Sequence, residues 1–420
     1  MSTFPPIPGW VQMEHQVAQI LTQQEQHGWY FNESEARKLE SALRREVEQT
    51  TSLLRRQHPY VGGALFTPKR NNRTQGYIEG ATFTRLKELN PTSRDHIAWI
   101  LQTHCGWIPS LMTSKSNKPI IDETVLKDIG TDIALSFLRL LELTKALGMI
   151  SEGVNAWQKL CTKSRIHHHC STNTSTFRCS HRNPNLAQTP SDERFRKLFT
   201  ASPKYVMVGA DLSGIELRML AHYLARYDKG RYAEILLTGD IHAENAKRVG
   251  VTRKQIKTIS YAFLYGAGDA KLGHSYDKQL SDGAAVKKGR EIRKAYVDAI
   301  PGLKELLTAV KKVSERGYVL ALDKRRILVD KPHKALNYLL QGSSAVLAKR
   351  WMSLTYDHLP KSAHQLAFVH DELQYECNEE DKEDLQFLLE LTAAQAGEHY
   401  NMRCPIAAES QSGHTWADVH

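Results

Sequence analysis

Apolar positions recur at helical spacing along much of the first third of the chain. Residues 10–56 read as two helices, the second carrying Leu39, Leu43 and Val47 four apart. Residues 57–80 break that pattern with Pro59, Gly62, Gly63, Pro68, Gly76 and Gly80 around a basic cluster of Lys69, Arg70 and Arg73, and a loop or small flexible excursion is expected there. Helical periodicity returns from about Ser93 to about Leu160. Within it, Ile133 to Ile150 is apolar but interrupted by Arg139, Glu142 and Lys145, which predicts a buried helix and no membrane span. Residues 161–200 are rich in His, Ser, Thr and Asn and have no clean period. Tyr205 to Ala210 is a short apolar run that reads as a buried strand delivering Asp211 to its end. Gly214–Leu237 and most of 242–316 read as helix, with a glycine-rich break at 266–273. Alternation returns at Leu366–Cys377 with a polar kink at His370–Asp371, the pattern of a hairpin with carboxylates at its bend. The expectation is an α+β chain, helix-rich, with a modest antiparallel sheet.

At 420 residues the chain exceeds one ordinary domain. Its six cysteines are widely and irregularly spaced, so reduced thiols are expected rather than a disulfide framework. The first residues lack a basic stretch followed by an apolar block, which points to a cytoplasmic protein with no membrane partner. The formal net charge of +10 favours a polyanionic partner without deciding it, since a basic protein that binds no nucleic acid fits equally.

Three constellations carry candidate chemistry. In VMVGADLSGIELRMLAH, a strand end presents Asp211 just before a helix, a placement suited to a hard divalent cation and equally to a helix cap. In VHDE, Asp371 and Glu372 interrupt an apolar alternation, where carboxylates need a partner unless the bend is exposed. In TRKQIKTISYAFLYGAG, Arg253, Lys257, Tyr261 and Tyr265 fall every four residues on one helical face. Two cations followed by two rings suit a nucleoside triphosphate; a solvated basic face above an aromatic stripe is the plainer alternative.

Taken together and in this order, the three resemble motifs A, B and C of the family A DNA polymerases: Asp211-Leu-Ser-Gly-Ile-Glu216-Leu-Arg218, then Arg253, Lys257, Tyr265 and Gly266, then His370-Asp371-Glu372. The segments NPTSRDHI, PNLAQ, GDIH, FLYGAGD and PHKALNYLLQ are similar to the replicative polymerases of T-seven-like podophages, and the resemblance runs from about residue 10 to the end. It implies a right-hand polymerase with the thumb and N-terminal helical region at 1–165, palm at 166–240 and 316–420, and fingers at 241–315. It implies DNA polymerisation for phage replication, in the cytoplasm of an infected bacterium. Two Mg²⁺ ions, with Mn²⁺ as a substitute, would be held by Asp211, Asp371 and the backbone carbonyl of Leu212, with Glu372 beside them. Lys257 would be the catalytic proton donor to pyrophosphate. Arg253, Lys257, His242, Tyr261, Tyr265 and Glu216 would bind the dNTP, Glu216 excluding a 2′-hydroxyl. Arg178, His333, Asn337, Gln341 and His370 would touch the primer–template. A single-subunit RNA polymerase shares the aspartates, but Glu216 argues against ribonucleotides; a catalytically silent DNA-binding subunit would have no need of two close carboxylates.

Three departures from the family pattern shape further expectations. No 3′–5′ proofreading domain precedes the thumb, so the chain is expected to lack exonuclease activity, with a separate exonuclease or processivity subunit as a candidate partner. The excursion at 57–92 is short for a thioredoxin-binding insertion. The family's Thr-Gly-Arg is Thr176-Phe177-Arg178, and because phenylalanine resists positive φ, a different local backbone is expected. Finally, RIHHHCSTNTSTFRCSH gathers His167, Cys170, Cys179 and His181, but the spacing fits no common zinc finger and His167 and His181 have family counterparts unrelated to zinc, so no zinc is expected.

Overall fold

The structure, a computed structural model, describes residues 7–109, 112–113, 116–277 and 280–420. Its packing divides the chain into two compact units, Ser34–Gln158 and Met1–Glu33 with Lys159–His420. Helix α1 (Gly9–His27) turns Met13, Val17, Ile20, Leu21 and Gln24 to one buried face, and α2 (Glu33–Gln57) buries Ala36, Leu43 and Leu54. These are the two helices read from 10–56.

In the Ser34–Gln158 unit the expected loop at 57–80 is instead the start of an antiparallel hairpin, β1 (Tyr60–Phe66) and β2 (Phe83–Glu88). The glycines that suggested a break serve close packing within the strand: a Cβ at Gly62 would lie 2.8 Å from the Trp99 indole nitrogen. The register shifts between Gly62 and Leu65. Toward its tip, Phe66, Tyr77 and Phe83 cluster, with the Arg85 guanidinium 3.7 Å from the Phe66 ring centre. Helix α3 (Arg94–Cys105) follows. The continuous helical stretch expected over 93–160 is broken after Cys105 and resumes properly at α4 (Asp132–Leu147), capped by Thr131, whose hydroxyl accepts from the Ala134 N–H. This is the buried helix read from Ile133–Ile150, and it ends in a π turn at Gly148–Glu152.

The other unit is organised by a four-stranded antiparallel sheet. The polar segment contributes first a small ribbon, β3 (His169–Ser171) with β4 (Ser180–Arg182). The main sheet comprises β5 (Tyr205–Leu212), β6 (His364–Val369), β7 (Glu372–Asn378) and β8 (Ala408–Gly413), in the order β6-β7-β5-β8. Gly209 sits where the chain can carry no side chain, since its Cβ would lie 2.5 Å from the Val419 carbonyl oxygen and from the Gln374 amide. The helices between β5 and β6 are α5 (Ile215–Asp228), α6 (Arg231–Thr238), α7 (Ile241–Val249), α8 (Arg253–Leu264), α9 (Asp269–Tyr276), α10 (Asp282–Ala299), α11 (Leu303–Ser314) and α12 (Ala335–Tyr356). The single helix expected at 214–237 is two, because Lys229 (φ 58°) and Gly230 (φ 87°) turn left-handed while the Asp228 carboxylate accepts from the Gly230 and Tyr232 N–H groups. Helix α13 (Lys382–His399) lies between β7 and β8 and takes a hydrogen bond from the buried Trp351 indole to its Leu389 carbonyl, 2.9 Å.

Buried charge locks α1 to this unit. Lys349 on α12 is fully buried and donates to both Glu14 oxygens at 2.8 and 2.9 Å, and the buried Arg325 also reaches Glu14. Burial pushes the Glu14 carboxyl up, but Lys349 and Arg325 outweigh it and hold it below the usual range. Replacing Glu14 with alanine strands a buried ammonium, so Glu14→Ala is expected to lower unfolding free energy by about 3–5 kcal/mol in urea denaturation. A loss under about 1 kcal/mol would mean the pair is solvated like a surface bridge.

Candidate active site

The central strand β5 ends at Asp211, and its two neighbours place carboxylates opposite it: Glu372 on β7 and Glu409 on β8. Between β6 and β7 the two-residue turn His370–Asp371 closes the hairpin, with His370 left-handed at φ 62°. The Leu212 N–H donates to the Asp371 carbonyl at 3.1 Å, which fixes this turn against the end of β5. Sequence-predicted Asp211, Leu212 and Asp371 are thereby brought together by the sheet register alone.

Their electrostatics are unfavourable as they stand. Asp211 reaches solvent on one side yet is pushed up to about 7, by burial first and then by the charges of Glu372 and Glu216. Asp371 is also pushed up to about 7, by burial and then by Asp211 and Glu216. Among the described residues neither carboxylate has an ion-pair partner. Two unpartnered oxygen donors of like charge fit a hard divalent cation, which would relieve the repulsion that now favours protonation. Glu372 is different: its oxygens are taken up by the Gln374 amide (2.6 Å), the Trp416 indole (2.8 Å) and His420 Nδ1 (3.0 Å). It is a fixed neighbour of the pair, as the motif implied. Trp416, Gln374 and His420 were not anticipated as its supports; only the tertiary packing unites them.

Next to the carboxylates, Glu216 on the first turn of α5 accepts from the Tyr265 hydroxyl at 2.7 Å and from Arg178 at 3.1 Å. Burial and the Glu216 charge push the Tyr265 hydroxyl up to about 12. Tyr261 faces the same group, its hydroxyl raised by burial and then by Glu216, Asp371 and Asp211. Arg178 stands two residues before β4, and the residue before it corrects the expectation: Phe177 does adopt positive φ, 61°. Its half-buried ring packs on the core, and the Arg325 guanidinium lies 5.0 Å from its centre, so tertiary contacts hold a backbone that phenylalanine alone disfavours.

Helix α8 begins with a capping box of Thr252 and Gln255 and carries Arg253, Lys257 and Tyr261 along one face toward Tyr265 at its end. Arg253 and Lys257 are exposed, but Arg253 is already paired with Asp240 at 2.6 Å. Asp240 also caps α7 through the Ala243 N–H, 2.9 Å, and was overlooked in the sequence; an aspartate directly before a helical run was the available signal. His242 sits 6.2 Å from the Tyr261 ring centre, linking the cationic end of α8 to its aromatic end. Burial lowers the His242 pKa, and Arg253 and Lys257 add to this against Asp240.

The remaining expected residues lie on or beside α12. Asn337 is buried and donates its amide to the Leu264 carbonyl at 2.8 Å, joining α12 to the end of α8. Gln341, one turn on, is half-buried, and His333 is exposed in the turn Pro332–Lys334; neither makes a side-chain hydrogen bond among the described residues. Of His167, Cys170, Cys179 and His181, Cys170 and His181 come together and are joined by His168, while His167 Nδ1 meets the Glu25 carbonyl at 2.7 Å.

A sheet whose end presents two unpartnered carboxylates, faced by a helix of cations and aromatic rings, defines a right-hand polymerase. A solved structure described as the POL domain of Pol1 from M. smegmatis, in complex with DNA primer-template and dNTP, has the same fold: TM-score 0.79 at 20% identity, covering 97% of this chain and 70% of that one. The chain belongs to DNA polymerase family A, whose family model matches residues 69–418. The DNA-directed DNA polymerase of Escherichia phage T7 is 31% identical over 98% of this chain and 70% of its own length. That of Escherichia phage Phieco32 is 35% identical over 53% of this chain and 41% of its own. Among the described residues no helix is long and apolar enough to cross a membrane.

Because both aspartates bind protons more tightly in the folded state than in the unfolded chain, the stability they contribute is complete below the ordinary value of 3.8 and lost as pH rises to about 7. In the absence of divalent ions, Asp371→Asn is therefore expected to raise the melting temperature at about pH 8, and Mg²⁺ to stabilise the parent at that pH more than the variant. Equal stabilisation of both proteins by Mg²⁺ would refute a site built on this pair.

Proposed function

We propose that this protein, a family A DNA-directed DNA polymerase, adds dNTPs to a primer 3′-hydroxyl by a two-metal-ion mechanism in phage-type replication. The observation that carries the reading is the pair Asp211 and Asp371, adjacent, unpartnered and both raised to about 7 at the end of the sheet. These carboxylates, with the Leu212 carbonyl, would hold two Mg²⁺ ions, Mn²⁺ substituting. When bound, such ions lower the pKa of the attacking hydroxyl and neutralise the triphosphate.

The chain's own residues supply the rest. Lys257 binds the triphosphate and gives its proton to the departing pyrophosphate. Arg253 exchanges the Asp240 carboxylate for a phosphate, a bidentate match that favours the guanidinium. His242 adds a phosphate contact, and the Tyr261 and Tyr265 rings bound the nucleotide and template base. Glu216, held in place by Tyr265 and Arg178, occupies the space a 2′-hydroxyl would need. Arg178, His333, Asn337, Gln341 and His370 line the primer–template end, Asn337 by fixing the end of α8, and contacts to acceptors common to all base pairs check geometry without reading sequence. In this reading the region before 166 includes the thumb, 166–240 and 316–420 form the palm and 241–315 the fingers. A separate exonuclease or processivity chain is a fitting partner, and the infected host cytoplasm the fitting compartment.

Extension of a labelled primer on a DNA template with Mg²⁺ tests this. Extension with dNTPs but not rNTPs, and no shortening of the primer when nucleotides are withheld, is expected. Tight primer–template binding with no extension would sink the proposal. Glu216→Ala should raise rNTP use relative to dNTP by at least about tenfold, roughly the 1.4 kcal/mol of a single lost exclusion contact. Tyr261→Phe should disfavour dideoxynucleotides strongly, and unchanged discrimination in terminator assays would break the assignment of α8.

A further inference from the structure

The polar segment before β5 contains a cluster that nucleotidyl transfer does not use. In the β3–β4 ribbon, Cys170 lies directly opposite His181. His168 lies two residues before Cys170, just ahead of β3, and its ring joins the same buried group. All three side chains are buried, at 0%, 8% and 7% exposure for His168, Cys170 and His181, and one ligand-capable atom of each lies within 4.8 Å of the others. Cys170 Sγ is 3.3 Å from His181 Nδ1. Gln24 of α1 closes the group, its amide nitrogen 3.2 Å from His168 Nε2 and 3.3 Å from Cys170 Sγ.

The 3.3 Å between Cys170 Sγ and His181 Nδ1 matches the ligand spacing of a tetrahedral ion, and small side-chain shifts bring the rest of the group to it. Zinc bonds of about 2.0–2.1 Å to nitrogen and about 2.3 Å to sulfur put neighbouring ligand atoms about 3.3–3.6 Å apart. The contacts of both rings run into the cluster. His168 Nδ1 and His181 Nε2 are buried with no hydrogen-bond partner, so both imidazoles turn a nitrogen into the cluster while leaving the other unsatisfied. Hydrogen bonding at the far nitrogens therefore does not set their orientation.

We propose that His168, Cys170 and His181 hold one zinc ion, with the Gln24 side-chain oxygen as fourth ligand. Gln24 presents that oxygen if its amide turns over. Its present oxygen accepts from the Gln365 amide (2.8 Å), and Gln365 accepts from the Tyr375 hydroxyl (2.9 Å). Turning both amides keeps the Gln24–Gln365 and Gln365–Tyr375 hydrogen bonds with their directions reversed, because a hydroxyl accepts as well as donates, and gives up the weak Gln365 contact to the Met352 sulfur (3.3 Å). A thiolate with imidazoles selects zinc over magnesium, which separates this site chemically from the aspartate pair. Four protein ligands leave no open position, the mark of a structural site. The ion would tie α1 to the ribbon whose connecting segment carries Phe177 and Arg178, and so steady the arginine that touches Glu216. The site does not depend on the polymerase mechanism.

The test uses the full chain expressed in zinc-supplemented medium, with bound metal measured by mass spectrometry after gel filtration. One zinc per chain is expected in the parent and in Cys179→Ser, and its loss in Cys170→Ser. Should Cys170→Ser fail to fold, the parent alone decides: cobalt exchanged for zinc must give the thiolate-to-cobalt absorption band. Substoichiometric zinc in the parent, zinc retained undiminished in a folded Cys170→Ser, or a cobalt protein without the thiolate band would each overturn the site.

Discussion

Like-charge repulsion at the end of one strand is the constraint around which this structure is arranged. Asp211 and Asp371 are set side by side by sheet register and by the Leu212–Asp371 backbone hydrogen bond, not by attraction between them. A fold accepts such a pair only if the backbone beneath is over-determined. Here β5 is central, paired on both sides, and Gly209 admits the Gln374 amide and the Val419 carbonyl against its backbone. Glu372, which would worsen the repulsion, is held by Trp416, Gln374 and His420. The site is destabilised by its surroundings, and two like-charged oxygen donors placed this way suit a divalent cation.

Buried polar networks elsewhere provide the rigidity that this arrangement demands. Glu14 with Lys349 and Arg325 anchors α1 against α12. Glu376, on the same strand as Glu372, accepts from the Ser202 N–H and hydroxyl at 2.7 Å and pairs with His27 at 2.7 Å and Arg165 at 3.3 Å. Burial raises the Glu376 carboxyl, but these donors overcome it and keep it ionised. Each carboxylate of this second kind is saturated with donors, in contrast to Asp211 and Asp371. The difference in partner count separates structural from chemical acids in one sheet.

Helix α8 shows the same economy. Its N-terminus is closed by Thr252 and Gln255, so Arg253 and Lys257 point outward from a fixed start, and its end is tied by Asn337. Arg253 rests on Asp240, an exposed pair whose net attraction is weak. Glu216 is the opposite case: half-buried, doubly hydrogen-bonded and therefore held in one position.

Local pattern determined a good deal of this protein by itself. The strand into Asp211, the hairpin bent at His370–Asp371 and the four-residue spacing from Arg253 to Tyr265 are short-range signals, and all three appear as read. Failures came where tertiary contacts outweighed local preference. Gly62 and Gly63 read as a break but lie in a strand, because Trp99 and the Arg85 backbone fill the space their side chains would take. Phe177 keeps a left-handed backbone because its ring is packed. Trp416 gained its role only through Glu372, 44 residues away in sequence, and Asp240 gained its pair with Arg253 only when α7 and α8 packed together. Likewise His168, and not His167, meets Cys170 and His181, because contacts with Gln24 and the Glu25 carbonyl of α1, invisible in a segment without clean periodicity, decide which histidine faces inward.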